Sequence, residues 1–326
     1  MKIAILGAGA WGSALAISLS AAHRVSLWTR KAEDRDHLRA TRASRYLPEA
    51  RLPASVAVES DVARAVDGAQ LAIVATATAG LRAAATALRD ADARVPMLWA
   101  CKGFEQPSQQ LPHEVVAAVQ SPGVPVGALS GPSFAAEVAR GLPTAVLLAS
   151  RDGAFAAATM AQLNSARLRI YSSTDLVGVE LGGAVKNVIA IAAGIADGLA
   201  LGHNARAALI TRGLAETARL GVALGGQAET FMGLAGLGDL VLTCTGELSR
   251  NRRVGVELAG GKALAEVLRD LGHVAEGVPS APAVLAHAQR AGVEMPITAS
   301  VCAVLEGRID PRGAVERLLS RDPRPE

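Results

Sequence analysis

Aromatic side chains are scarce in this 326-residue chain: four Phe, three Trp and two Tyr make up 3% of it, while half of all residues are hydrophobic. The core therefore has to be assembled from Ala, Val, Leu and Ile, which favour close packing of helices against a sheet over aromatic clusters. Few aromatic platforms also means few places for bases to stack. The net charge is only +3, carried by arginines scattered along the chain rather than gathered into a stripe, so no nucleic-acid partner is expected. Cysteine is scarce as well. Cys101, Cys244 and Cys302 are odd in number, far apart and without a CxxC pair, which disfavours a disulfide framework or a zinc site and fits a reducing compartment. Uninterrupted apolar runs of about 18 residues are also missing. Residues 2–22, KIAILGAGAWGSALAISLSAA, could pass for a signal peptide. Three glycines at fixed offsets break that run, however, and a strand followed by a helix accounts for it better. The expectation is a soluble, cytoplasmic protein with no membrane span.

The chain exceeds a usual single domain, so two domains are expected. The first opens with Lys2–Leu6, read as a short buried strand, followed by Gly7-Ala8-Gly9-Ala10-Trp11-Gly12 and a helix-like run. This is G-x-G-x-x-G in the context that gives it meaning, strand before and helix after. Gly7 allows the tight turn, Gly9 lets the backbone approach a pyrophosphate, and Gly12 lets the helix pack against the strand. The helix N-terminal amides then face the anion. A second strand, Arg24–Trp28, ends at Thr29-Arg30-Lys31, where an NAD-specific site usually carries an acidic residue for the ribose hydroxyls. A cation there pairs instead with a ribose 2′-phosphate, so Arg30 favours NADPH, with NADH the alternative. Further apolar runs at Leu71–Ala75, Val95–Ala100, Val124–Leu129 and Ala145–Leu148, separated in part by helical segments such as 79–90, predict an α/β fold. The sheet is expected to be Rossmann-type, doubly wound and mostly parallel. Ligands in such sheets bind beyond the carboxyl ends of strands. Lys102 follows one such end, and Ser130-Gly131-Pro132-Ser133-Phe134-Ala135 follows another as a turn feeding a helix.

A final strand-like Leu168–Tyr171 leads into Ser172–Asp175, good capping residues for a long helix. Beyond it the pattern is helical at 204–226, 254–260, 262–272 and 279–292, and the closing RDPRPE reads as a frayed tail. The domains are placed at 1–174, dinucleotide-binding, and 175–326, an all-helical substrate-binding domain. In the long helix, 181-LGGAVKNVIAIAAGIADG-198, the pair Lys186–Asn187 interrupts an apolar, alanine-rich run. A lysine desolvated in this way gives up its proton more readily, the setting in which lysines serve proton transfer. A snorkelling lysine at the edge of a core is the alternative. Two stretches read as loops accompany it. Gly233–Asp239 presents one carboxylate among glycines, suited to orient a lysine or simply to make a turn. In 243-TCTGELSRNRR-253, Ser249, Arg250 and Asn251 combine hydroxyl, guanidinium and carboxamide, a set that binds a phosphate dianion or belongs to a solvated charged loop.

In order, the segments GAGAWGSALA at 7–16, WACKGF at 99–104, SGPSFAAE at 130–137, GVELGGAVKNVIAI at 178–191, GLAGLGDLVLTCT at 233–245, LSRNRR at 248–253 and VAEGV at 274–278 resemble the bacterial NAD(P)-dependent glycerol-3-phosphate dehydrogenase family. The resemblance runs from Lys2 to about Leu319. It implies reversible reduction of dihydroxyacetone phosphate to sn-glycerol 3-phosphate, the backbone of glycerophospholipids. Lys186 is implied as the proton donor and acceptor, with Lys102 and Asp239 beside it in catalysis. Lys102, Gly131, Ser133, Lys186, Asp239, Ser249, Arg250 and Asn251 are implied to contact substrate. Beyond the three glycines, Ala10, Trp11, Arg30, Lys102, Ala135, Arg250, Val274 and Glu276 are implied to contact cofactor. Position 10 is often serine in the family, so Ala10 leaves only a backbone contact there. A homodimer is expected. The alternatives are a ketopantoate or hydroxyacid reductase of the same architecture, for which the SRNRR segment has no use, and a catalytically silent NADP-sensing protein.

Overall fold

The computed structural model describes residues 1–91 and 93–321, so the tail expected to fray lies, from residue 322 on, outside the described residues. The chain divides into two compact units, Met1–Leu176 and Val177–Glu326.

The first unit is an eight-stranded sheet flanked by helices. Its strands are β1 (Lys2–Leu6), β2 (Arg24–Trp28), β3 (Ala57–Glu59), β4 (Leu71–Val74), β5 (Met97–Trp99), β6 (Val126–Ser130), β7 (Thr144–Ala149) and β8 (Leu168–Ser173), in the order 3-2-1-4-5-6-7-8. β1 pairs in parallel with β2 on one side and β4 on the other, so the chain runs outward to β3 and then crosses back. Connections leaving β1 and β4 in opposite directions open a crevice at their carboxyl ends, where such sheets take ligands. β7 and β8 run against the other six strands: β7 lies antiparallel to β6, and β8 is parallel to β7. Continuous burial explains why these strands are readable from sequence: Ile3 to Leu6 and Ala72 to Val74 have no exposed surface, as expected of strands covered on both faces. β3 was not expected, because three residues, Ala-Val-Glu, are too few to carry a period.

The second unit is all-helical among the described residues. Its spine is the helix Leu176–Gly198, in which Val185, Val188, Ile189 and Ile191 have no exposed surface. By length and composition this helix could cross a bilayer, yet 94% of its most apolar window is buried inside the protein, the position of a core helix. It touches the helix Arg250–Ala259 backbone to backbone. A Cβ on Gly194 would stand 1.9 Å from the Arg252 carbonyl oxygen, and one on Gly255 would stand 2.0 Å from that of Ile191. The helices Pro296–Leu305 and Pro311–Leu319 close the unit, each with proline in its first turn. Glu216, on the helix Gly202–Ala223, is 1% exposed and caps the first of them, accepting the N–H groups of Ile297 at 2.7 Å and Thr298 at 3.3 Å.

Two segments expected as loops are helical. Gly233 is extended and ends the helix Ala228–Met232, after which Leu234–Gly238 makes one π-helical turn, closed by the Gly238 N–H on the Gly233 carbonyl, and runs into the helix Asp239–Thr245. The glycines therefore serve close packing rather than a flexible loop: a Cβ on Gly236 would lie 2.1 Å from the Phe231 carbonyl oxygen. In the SRNRR segment Ser249 is an N-cap, its Oγ accepting the Arg252 N–H at 3.2 Å, and Arg250 and Asn251 form the first helical turn.

Candidate active site

Each unit gathers its own share of the expected residues. In the first, the turn after β1 places all three motif glycines under different constraints. Gly7 has φ +121°, and a Cβ there would sit 2.8 Å from the Ala75 carbonyl oxygen at the mouth of β4. A Cβ on Gly12 would overlap the Gly7 carbonyl oxygen at 1.8 Å, whereas one on Gly9 would meet nothing within 4 Å. Gly7 and Gly12 are thus demanded by the fold, while the open space at Gly9 is where a phosphate group can reach the backbone. Gly9 is the N-cap of the helix Ala10–Leu19 and has no side chain to satisfy its amides, which leaves that end suited to an anion. Ser44 Oγ donates to the Ala8 carbonyl at 2.9 Å and holds the turn from outside; nothing in the sequence announced it. Trp11 and Ala135 pack around the same small cluster of Ala14, Leu47 and Val138, bringing together two residues 124 positions apart that were both assigned to cofactor. Arg30 is exposed beyond the carboxyl end of β2.

The mouths of β5 and β6, neighbours in the sheet, bring Lys102, Gly131 and Ser133 together. Lys102 Nζ donates to the Gly131 carbonyl at 3.0 Å, and Ser133 Oγ donates to the same oxygen at 2.9 Å.

In the second unit Lys186 and Asp239 are 8% and 1% exposed. Lys186 Nζ lies 2.5 Å from Asp239 Oδ1 and donates also to Thr243 Oγ1 at 2.9 Å, while Thr243 donates to the Asp239 carbonyl at 2.6 Å. Burial alone would favour neutral lysine; the adjoining carboxylate favours the ammonium form. Thr243, one helical turn beyond Asp239, is the lysine partner that sequence reasoning passed over. Cys244 beside it is fully buried, and burial pushes its thiol up to about 12, so it stays protonated and offers no nucleophile.

The neighbouring Asn187 joins the lysine helix to the SRNRR helix. Asn251 Nδ2 donates to Asn187 Oδ1 at 2.8 Å, and Asn251 Oδ1 accepts the Gly277 N–H at 2.9 Å. Asn251 was expected to contact substrate directly; these bonds leave it one amide hydrogen with which to do so. Ser249 is 4% exposed, and with its oxygen accepting at the cap its hydroxyl proton is what it can offer a ligand. Arg250 is exposed and faces the carboxylate of Glu276 electrostatically. Glu276 begins the helix Gly277–Arg290, and Val274 just before it is 51% exposed. Arg252, two residues past Arg250, points elsewhere: its Nε is 2.7 Å from Asp197, which also pairs with Arg206.

A glycine turn at the crossover of a doubly wound sheet, followed by a helical unit with a buried lysine–carboxylate pair, defines a nicotinamide-dinucleotide-dependent dehydrogenase. Comparison with known proteins makes the class specific. Residues 2–156 match the N-terminal model of NAD-dependent glycerol-3-phosphate dehydrogenase and residues 175–316 its C-terminal model. The chain is 59% identical over 327 residues to the glycerol-3-phosphate dehydrogenase [NAD(P)+] of Dechloromonas aromatica, covering 100% of this chain and 99% of that one. It is 57% identical to that of Aromatoleum aromaticum, covering 100% of both. The crystal structure of glycerol-3-phosphate dehydrogenase from Coxiella burnetii superimposes with a TM-score of 0.93 at 43% identity, over 98% of this chain and 99% of that one. The chain belongs to the NAD-dependent glycerol-3-phosphate dehydrogenase family.

Proposed function

We propose that this protein reduces dihydroxyacetone phosphate reversibly to sn-glycerol 3-phosphate, with NADPH favoured over NADH, and so supplies the backbone of glycerophospholipids. The observation that carries the reading is the buried Lys186–Asp239–Thr243 arrangement in a chain of this family. The turn at Gly7, Gly9 and Gly12, with Ala10, Trp11, Arg30 and Ala135, fits the dinucleotide, and Lys102, Arg250, Val274 and Glu276 are assigned to it as well. When bound, reduced nicotinamide supplies a hydride.

Lys186 supplies the proton. As the carbonyl is reduced, negative charge builds on its oxygen, and a fixed ammonium both stabilises that charge and protonates the oxygen. Asp239 keeps Lys186 charged before transfer and fixes its direction. In the oxidative direction Lys186 has to accept the hydroxyl proton as a neutral amine, and its apolar surroundings favour that form. The Ser249 hydroxyl, the Arg250 guanidinium and the remaining Asn251 amide hydrogen bind the phosphate dianion, giving binding energy that orients the carbonyl. Lys102, Gly131 and Ser133 are assigned to substrate as well. The unit 1–174 is assigned to cofactor and 175–326 to substrate. A homodimer in the cytoplasm completes the proposal, to be checked by sedimentation and cell fractionation.

The test is oxidation of NADPH and of NADH by the purified protein, followed by absorbance, with dihydroxyacetone phosphate and with ketopantoate. Rapid turnover with the phosphorylated ketone supports the reading. Turnover with ketopantoate alone would replace it by the reductase alternative, and binding of NADPH without any turnover by the sensor alternative.

A further inference from the structure

The loop that carries Lys102 is held by an ion pair that the proposed chemistry does not use. It leaves β5 at Trp99 and reaches the next helix at Pro112. Glu105, three residues past Lys102, is 9% exposed. Its two carboxylate oxygens receive Nε and Nη2 of Arg82, each at 2.7 Å, a bidentate pairing. Arg82 Nη2 also donates to Gln110 Oε1 at 3.0 Å, and Ser108 Oγ donates to Glu105 Oε2 at 2.6 Å. Two backbone bonds close the loop on itself: the Glu105 N–H donates to the Gln110 carbonyl at 2.9 Å and the Gln109 N–H to the Glu105 carbonyl at 2.8 Å. Side chains from the middle of the loop, Glu105, and from its far end, Gln110, thus converge on one guanidinium.

That guanidinium stands at a telling place in the fold. Arg82 is the second residue of the helix Leu81–Asp90, which follows β4, and β4 is the neighbour of β5. The same β4 mouth supplies Ala75, whose carbonyl abuts Gly7 of the glycine turn. The pair therefore ties the Lys102 loop to the strand mouth that already shapes the cofactor turn. Phe104, 2% exposed, anchors the loop between the two charged residues. A lysine sits on a flexible four-carbon stem, so the accuracy with which its ammonium is placed depends on how firmly the backbone beneath it is held.

We propose that Arg82 and Glu105 are positioning residues for Lys102, holding the β5 loop so that its ammonium meets the Gly131 carbonyl and, with it, the substrate. This rests on the reading of Lys102 as a substrate and cofactor contact.

The experiment measures kcat/KM for dihydroxyacetone phosphate and the melting temperature of the full-length protein carrying Glu105→Gln, Lys102→Ala, or both. Glu105→Gln is expected to lower kcat/KM by about tenfold to a hundredfold, the scale of an ångström-sized misplacement. In the Lys102→Ala background the same substitution is expected to add less than about twofold, because residues acting through one another are not additive. A double variant whose loss equals the product of the single losses would overturn the inference while leaving the role of Lys102 intact. So would a Glu105→Gln variant with wild-type kcat/KM. Wild-type kcat/KM in Lys102→Ala alone would instead remove the reading of Lys102 and the inference with it. Should Glu105→Gln fail to fold, Arg82→Lys serves: its side chain is 39% exposed, and loss of the fork with the charge retained is expected to give the same non-additive pattern with a smaller single loss.

Discussion

Removing the Asp239 carboxylate separates what the buried pair does for the fold from what it does for the reaction. Lys186 is 9% exposed at its side chain and Asp239 1%, with the carboxylate 2.5 Å from Nζ, so Asp239→Ala takes the carboxylate away from a buried ammonium that also donates to Thr243. Deleting one member of a buried ion pair costs about 3–5 kcal/mol, since the remaining charge has to be desolvated without compensation. For a unit of this size that is about 6–20 °C in melting temperature. Replacing both members by apolar groups of similar volume, as in Lys186→Met with Asp239→Leu, removes the desolvation cost with the attraction and is expected to recover most of the loss. Neither variant should turn over substrate. Thermal melts followed by circular dichroism, with turnover measured on the same samples, check this directly. Two results would refute the reasoning: an Asp239→Ala variant that melts with the wild type, or a double variant no more stable than Asp239→Ala.

Three further outcomes are expected. Arg30→Ala should reduce the ratio of kcat/KM for NADPH to that for NADH, with the NADH value little changed; an unaltered ratio would mean that Arg30 does not meet a ribose phosphate. Arg250→Ala should raise KM for dihydroxyacetone phosphate by about tenfold to a hundredfold, the worth of one charged hydrogen bond, and steady-state kinetics would read it. Burial raises the Glu216 carboxyl above its usual range, opposed by the Ile297 and Thr298 donors. A raised folded-state value means that Glu216 favours the fold most below the ordinary carboxylate range and that this contribution is lost as pH rises through the raised value. Glu216→Gln, which keeps an acceptor oxygen, should remove that fall in a series of urea melts at rising pH. Glu216→Ala should instead cost about 1–3 kcal/mol for each donor left unsatisfied.

What could be read from the sequence was local, and what could not depended on distance along the chain. β1 and β4 are nearly continuous apolar runs, and a fully buried strand needs no other signal; β3, with three residues, has none. The helical glycine segment before Asp239 misled because glycine usually marks turns, whereas Gly236 and Gly238 are there for close packing and a π-helical turn. Lys186 stood out as a charge in an apolar run, and Asp239 as an acid among glycines, but their pairing spans 53 positions and Thr243 carried no mark at all. SRNRR read as a loop, either offering Ser249, Arg250 and Asn251 to a phosphate or simply solvated. On a helix, however, positions two apart face about 200° from each other, so Arg250 stays exposed while Arg252 turns to Asp197.

The most direct test is the pre-steady-state and steady-state reduction of dihydroxyacetone phosphate by Lys186→Ala, with NADPH binding measured on the same protein. Loss of a positioned proton donor is expected to lower kcat by about a hundredfold to ten-thousandfold while the affinity for NADPH stays at the wild-type value. Near-normal kcat in a folded Lys186→Ala variant would contradict the assignment of proton transfer to Lys186.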